Sequence, residues 1–156
     1  MIPGDGNDHL FPAQVYILSI FGSQTVLTER GNEDLVLTQY NGTSSQHWRL
    51  DPCDNGKLTF ANVKTGHSLG ANPEHGFLCC KWDNQAPAEQ FSMFYQNSGG
   101  YRAYNHWGNL ARVVTRRENE DFLRTTRTGD AFVTIGVHLL GPRQMLWYNK
   151  IATQRD

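Results

Sequence analysis

Apolar residues along this chain fall in short bursts, Thr25–Thr28, Leu35–Gln39, His67–Ala71 and Phe77–Trp82, separated by polar punctuation rich in Gly, Asn, Asp, Ser and Thr. No stretch sustains a 3.6-residue stripe, and aromatic and branched side chains fill the bursts. This pattern predicts short strands joined by tight turns, an all-β chain. The best-marked turn opens at Asn41-Gly42, within Leu37-Thr-Gln-Tyr-Asn-Gly-Thr-Ser-Ser-Gln-His-Trp48. It delivers Gln46, His47 and Trp48 to the next strand. A buried Trp supplies the large apolar area that a loop-rich fold needs. A Gln two residues earlier shares its face of an extended chain and can tie down the turn's backbone.

The same skeleton returns at Asn84-Gln-Ala-Pro-Ala-Glu-Gln-Phe91, where Asn84 matches Asn41, Glu89 stands for Gln46 and Phe91 for Trp48. Repetition at a fixed interval marks an architecture assembled from similar units. A third, looser unit is expected, with strands at Tyr101–Asn105, Leu110–Val114, Phe132–His138 and Met145–Ile151. Trp147 would fill its aromatic slot and Met145 its Gln slot, after a polar insertion that follows Val114. Trp48, Phe91 and Trp147 should then be buried at pseudo-equivalent places. The organisation predicted is a polar arm over 1–10, a single domain over 11–152 and a polar tail over 153–156.

The whole Leu-x-x-x-Asn-Gly-x-x-x-Gln-x-Trp spacing resembles the segment that recurs once per unit in ricin-type β-trefoil lectins. The resemblance covers nearly all of the chain after Phe11, and it implies a β-trefoil of about twelve strands, four per unit. In such lectins Gln-x-Trp builds the fold. Sugar is held by an Asp on a unit's second strand, an aromatic ring at the end of the third, and the Asn of the turn. The ring stacks on the sugar's C–H face while Asp and Asn fix its hydroxyls.

Carried onto this sequence, the resemblance gives Asn41 in the first unit, with Thr38 in the stacking slot and Thr28 in the acid slot. The second unit offers Asn84 with Lys81 and Gly70, and the third has Val137 and Leu140 where an aromatic and an Asn would stand. No unit keeps the full set, so a galactose-type triad is not expected. A rebuilt site is expected instead at Trp82-Asp83-Asn84 or at His106-Trp107-Gly108-Asn109, with Asn41 as a further candidate. Inward packing of Trp82, and capping of the barrel by Trp107, are the competing readings.

Composition narrows the partners. With 14 Lys and Arg against 15 Asp and Glu the net charge is −1, so bulk electrostatics favours neither nucleic acid nor an anionic membrane. Met1–His9 is polar and Gly-rich, which predicts a cytoplasmic or non-classically exported protein. Cys53, Cys79 and Cys80 do not form the paired spacing of the family's disulfides, and neighbours on a strand point to opposite faces. A reducing compartment fits that usage, and in it the Asn41-Gly42-Thr43 triplet would stay unglycosylated.

The six histidines are dispersed, without the spacing of a metal site. Asp5-Gly6-Asn7-Asp8-His9 departs from a calcium loop at Leu10 and Tyr16. No metal, cofactor or catalytic activity is therefore expected. The chain is also similar to the fungal trefoil proteins that accompany tyrosinase, a copper oxidase, and to a mannose-binding relative of them. That similarity implies a mannose-type carbohydrate ligand, or alternatively an accessory role on a larger enzyme such as a tyrosinase. A third reading is a trefoil protease inhibitor, with Thr115–Asp130 as its inserted loop. Its competing reading is a solvated, self-compensating surface hairpin.

Overall fold

The computed structural model describes residues 1–118, 120–127 and 132–140. Its first unit contains β1 (Val15–Ile20), β2 (Thr25–Glu29), β3 (Leu35–Gln39) and β4 (Trp48–Pro52). The second contains β5 (Leu58–Asn62), β6 (Ser68–Ala71), β7 (Leu78–Trp82) and β8 (Phe91–Tyr95). The third contains β9 (Tyr101–Asn105), β10 (Arg112–Thr115), β11 (Arg124–Thr126) and β12 (Ile135–Leu139). First and fourth strands pair in the antiparallel ring β1–β4–β5–β8–β9–β12 and back to β1, which closes a six-stranded barrel. The second and third strands of each unit form hairpins, β2–β3, β6–β7 and β10–β11.

These hairpins close on one another in a cycle. Leu37 N donates to Asp121 O of the third hairpin, Cys80 N to Glu33 O of the first, and Thr125 N to Gly76 O of the second. Each otherwise unpaired backbone edge is thus satisfied by its neighbour. The fourth strand of each unit opens on a buried side chain: Trp48, Phe91 and Ile135 are 0%, 1% and 7% exposed. They stand opposite Tyr16, Leu58 and Tyr101 on the adjoining barrel strands, and all three belong to the main core.

The third unit corrects the sequence reading. Ile135 takes the third slot and Trp147 lies outside the described residues; the expected third strand Phe132–His138 is the unit's fourth, β12. The polar stretch after Val114 is no external insertion, because it holds a strand of the trefoil itself. Val113, Val114 and Thr115 pair with Thr126, Thr125 and Arg124, and Leu123 is buried in the core. Charge density hid this strand: Arg124 is engaged bidentately by Glu120 (2.8–3.2 Å) while its guanidinium lies over Phe77 and Phe122. Val137 and Leu140 are buried at 0% and 1% exposure, so neither stands at a ligand position. The strand expected at Met145–Ile151 and the tail at 153–156 lie outside the described residues.

The polar N-terminal arm is stitched to the barrel. Asp8 N donates to Val137 O, Val137 N to Gly6 O, and Leu139 N to the Asp8 carboxylate. Ile2 is buried in a second apolar cluster with Val15, Ile17, Val26 and Leu140. Among the described residues no helix is long and apolar enough to cross a membrane.

Candidate functional site

The turns before the fourth strands carry the sequence signature, and in the first unit it is spent on the fold. Gln46 is fully buried. Its Oε1 accepts from Asn41 N at 2.8 Å, and its Nε2 donates to Gln39 O, Thr28 Oγ1 and Thr38 Oγ1 at 3.0–3.3 Å. Thr28 and Thr38 also bond each other at 2.9 Å. The acid and stacking slots of this unit are therefore closed onto the glutamine. Asn41 Oδ1 accepts from Thr43 N and Oγ1, so this exposed Asn shapes the turn, and the stacking slot of its unit holds Thr38.

The second unit repeats the turn with a carboxylate. Glu89, fully buried, accepts from Asn84 N and Ala86 N at 3.2 and 2.9 Å, and Asn84 Oδ1 accepts from Ala86 N. Its stacking slot is different. In β2–β3 Val26 pairs with Thr38, in β6–β7 Ser68 pairs with Trp82, and in β10–β11 Val113 pairs with Thr126. The next residue along, Leu27, Leu69 or Val114, points into the same core.

A register shift between Ser68 and Leu69 skips Lys81. The slot expected to hold Lys81 therefore holds Trp82, half-buried. Its partner slot is Gly70. A Cβ there would come within 3.0 Å of Ala88 O and in ordinary contact, 3.5 Å, with Trp82 Cε3, so the indole packs beside the face that Gly70 leaves bare. Asp83 and Asn84 follow it in the exposed turn, and the Lys81 ammonium lies 5.6 Å from the ring centre. Trp82, Asp83 and Asn84 thus share one rim. Glycine at position 70 was the missed signal, because a bare floor lets a large ring settle on it.

The His106–Asn109 cluster is built differently. Trp107 N donates to Asn105 Oδ1, and Asn105 Nδ2 donates to Ala88 O. Asn62, at the end of β5 in the second unit, repeats both contacts, donating to Ser45 O and accepting from Lys64 N. An Asn at the end of a unit's first strand is thus a second repeat mark that the sequence reading missed.

The Trp107 ring is covered by the Arg112 guanidinium at 4.3 Å, and Arg112 Nε donates to Trp107 O. His106 Nε2 meets Ser92 Oγ at 2.6 Å; burial, with the Lys57 charge behind it, holds its imidazole below the usual range. The side chain of Asn109 lies outside the described residues. Trp107 is therefore spoken for, whereas Trp82 borders the exposed turn.

No protein-family model matches the chain, and no curated protein matches it by sequence. Solved structures do match in shape. A mosquitocidal holotoxin aligns with a TM-score of 0.71 at 10% identity over 85% of this chain, which spans 18% of that protein. A ricin B-like lectin of Macrolepiota procera, solved with lactose, aligns at 0.66 and 14% identity, covering 86% of this chain and 100% of the lectin. The Rhizoctonia solani agglutinin aligns at 0.64 and 19% identity, covering 85% and 98%. The chain folds as a β-trefoil.

Within the trefoil two of the three thiols, Cys79 and Cys80, are shielded. Burial pushes Cys79 up to about 11 and Cys80 up to about 12, and Cys80 Sγ donates to His67 O. Among the described residues no three His, Cys, Asp or Glu side chains stand together as metal ligands would.

The stretch Thr115–Asp130, the loop of the inhibitor reading, holds β11 among its described residues. Arg124 is paired to Glu120, and Arg116 Nε donates to Glu120 O. That leaves no extended basic loop among the described residues of Thr115–Asp130.

Proposed function

We propose that this trefoil is a non-catalytic, lectin-like protein that binds a mannose-type saccharide at the turn of its second unit. Trp82 provides the stacking face, and Asp83 and Asn84 bond the sugar's hydroxyls. One observation carries the reading: of the three pseudo-equivalent slots Thr38, Trp82 and Thr126, one holds an aromatic ring, half-exposed above a glycine floor. The lactose-bound trefoil lectin of similar shape supports carbohydrate as the ligand class. An open rim engages few sugar atoms, so a single site should bind weakly, with a Kd of about 1 mM.

A titration of the protein with methyl α-mannoside, followed by NMR of the indole N–H signals, tests this. Trp82 should shift first, Asp83→Ala should abolish the response, and the fold should remain intact. Unchanged affinity in that variant would remove the second-unit turn from consideration.

Attachment to a larger enzyme is the second reading. Phe94 and Tyr95, each 55% exposed on adjacent positions of β8, supply apolar surface for it. Co-purification with a larger partner from the native source is its test.

A further inference from the structure

The outer walls of the barrel are not alike. Between β12 and β1 the wall is covered by the N-terminal arm: His138 Nε2 meets Ser19 Oγ, and its Nδ1 donates to Pro3 O. Between β4 and β5, Thr59 is buried beneath Gln85. The third wall, between β8 and β9, is open.

Ser92 pairs with Tyr104 and Phe94 with Arg102. Strand alternation turns these four outward while Phe91, Tyr101 and Ala103 enter the core. Together with Gln96 and His106 they line an open groove of about 440 Å³.

Arg102 is the charged residue of this lining, and it is prepositioned. Its guanidinium lies 3.7 Å from the centre of the Phe132 ring, and Nη1 donates to Tyr104 Oη at 3.3 Å. Its Nε is buried without a hydrogen-bond partner. Among the described residues no carboxylate lies within ion-pair distance of it. A clamped, planar guanidinium with no ion pair among the described residues is complementary to a carboxylate.

Beside it the Phe94 and Tyr104 rings meet edge to face, 5.7 Å apart, and 55% of Phe94 remains exposed. They offer stacking surface, while Ser92, Gln96 and His106 offer neutral donors and acceptors. A ligand that uses all three features carries a carboxylate, C–H faces and hydroxyls on one ring. We propose that the β8–β9 wall is a second binding site, selective for carboxylate-bearing saccharides of the uronic-acid type. It shares no residue with the Trp82 rim and does not depend on it.

The test is NMR titration of the full chain with glucuronate, with glucose and acetate as controls. Glucuronate should shift the backbone signals of Phe94, Arg102 and Tyr104, with glucose about tenfold weaker. Its binding should weaken as NaCl is raised. Arg102→Gln should erase the preference for glucuronate over glucose. Phe94→Ala, an exposed change that keeps the fold, should weaken both ligands. Trp82→Ala should leave glucuronate binding unchanged, which separates this site from the first. Equal shifts from glucose or acetate at the same concentration would overturn the proposal, as would glucuronate shifts that bypass β8–β9.

Discussion

Removing the Trp48 side chain tests the repeat on which the rest of the account stands. The indole is fully buried, packed in the main core, with Nε1 donating to Leu27 O at 3.2 Å. Truncating a buried Trp to Ala costs about 3–5 kcal/mol through lost transfer energy and the cavity left behind. The Leu27 carbonyl then loses its partner, adding about 1 kcal/mol. A total of about 4–6 kcal/mol compares with about 5–15 kcal/mol for a whole domain, so the variant should be barely folded.

Trp48→Phe copies the second unit's choice and should cost about 2 kcal/mol, chiefly the lost hydrogen bond and ring volume. Phe91→Ala and Ile135→Ala, at the pseudo-equivalent slots, should each cost about 2–5 kcal/mol. Urea denaturation followed by far-UV circular dichroism gives these values without relying on the fluorescence of the residue removed. A loss below about 1 kcal/mol for Trp48→Ala would refute the slot assignment, given the core-truncation range. Ile135→Ala proving neutral would refute its place as third member.

Three further outcomes follow from the buried polar groups. Burial pushes His47 down to about 4, so below pH 6.5 the unfolded chain takes up a proton that the folded one refuses. Stability should therefore fall as pH drops from 6.5 toward 4, by up to about 3 kcal/mol from His47, and His47→Gln should reduce the part of that slope above pH 5, to which His106 and His138 also contribute. An unchanged slope would contradict the burial argument. Gln46→Leu removes four hydrogen bonds and should cost about 2–3 kcal/mol, less than their sum because water reaches the exposed turn; a change under about 0.5 kcal/mol in urea would contradict the network. Ellman's reagent at pH 8 should react readily with Cys53 alone in the native protein and with all three thiols in urea, because Cys79 and Cys80 are buried; fast native reaction of all three would contradict their shielding.

Legibility in the sequence followed the kind of force involved. The first two units were readable because each has a local signature: an Asx turn, a buried Gln or Glu that accepts the turn's N–H groups, and a large apolar residue two places on. The third unit has Ile135 in that slot and Val133 where Gln46 and Glu89 stand, so nothing local marks it. β11 was hidden because pairing with β10 and the Glu120–Arg124 ion pair are tertiary events on a stretch whose composition reads as loop. Trp82 was visible as a candidate, but its place in the stacking slot depends on a register shift at Ser68–Leu69 that composition does not announce. Arg102, Phe94 and Tyr104 passed unnoticed because they converge only across paired strands.

Carbohydrate recognition at the Trp82 rim is the central claim, and a glycan array probes it most directly. Labelled wild-type, Trp82→Ala and Trp107→Ala proteins, each shown to be folded, would be applied at several concentrations to mannose, galactose and GlcNAc ligands. The account predicts a mannose-selective signal, competed by free mannose, lost in Trp82→Ala and kept in Trp107→Ala. Silence from the folded wild-type protein, or a signal that survives in Trp82→Ala, would contradict it.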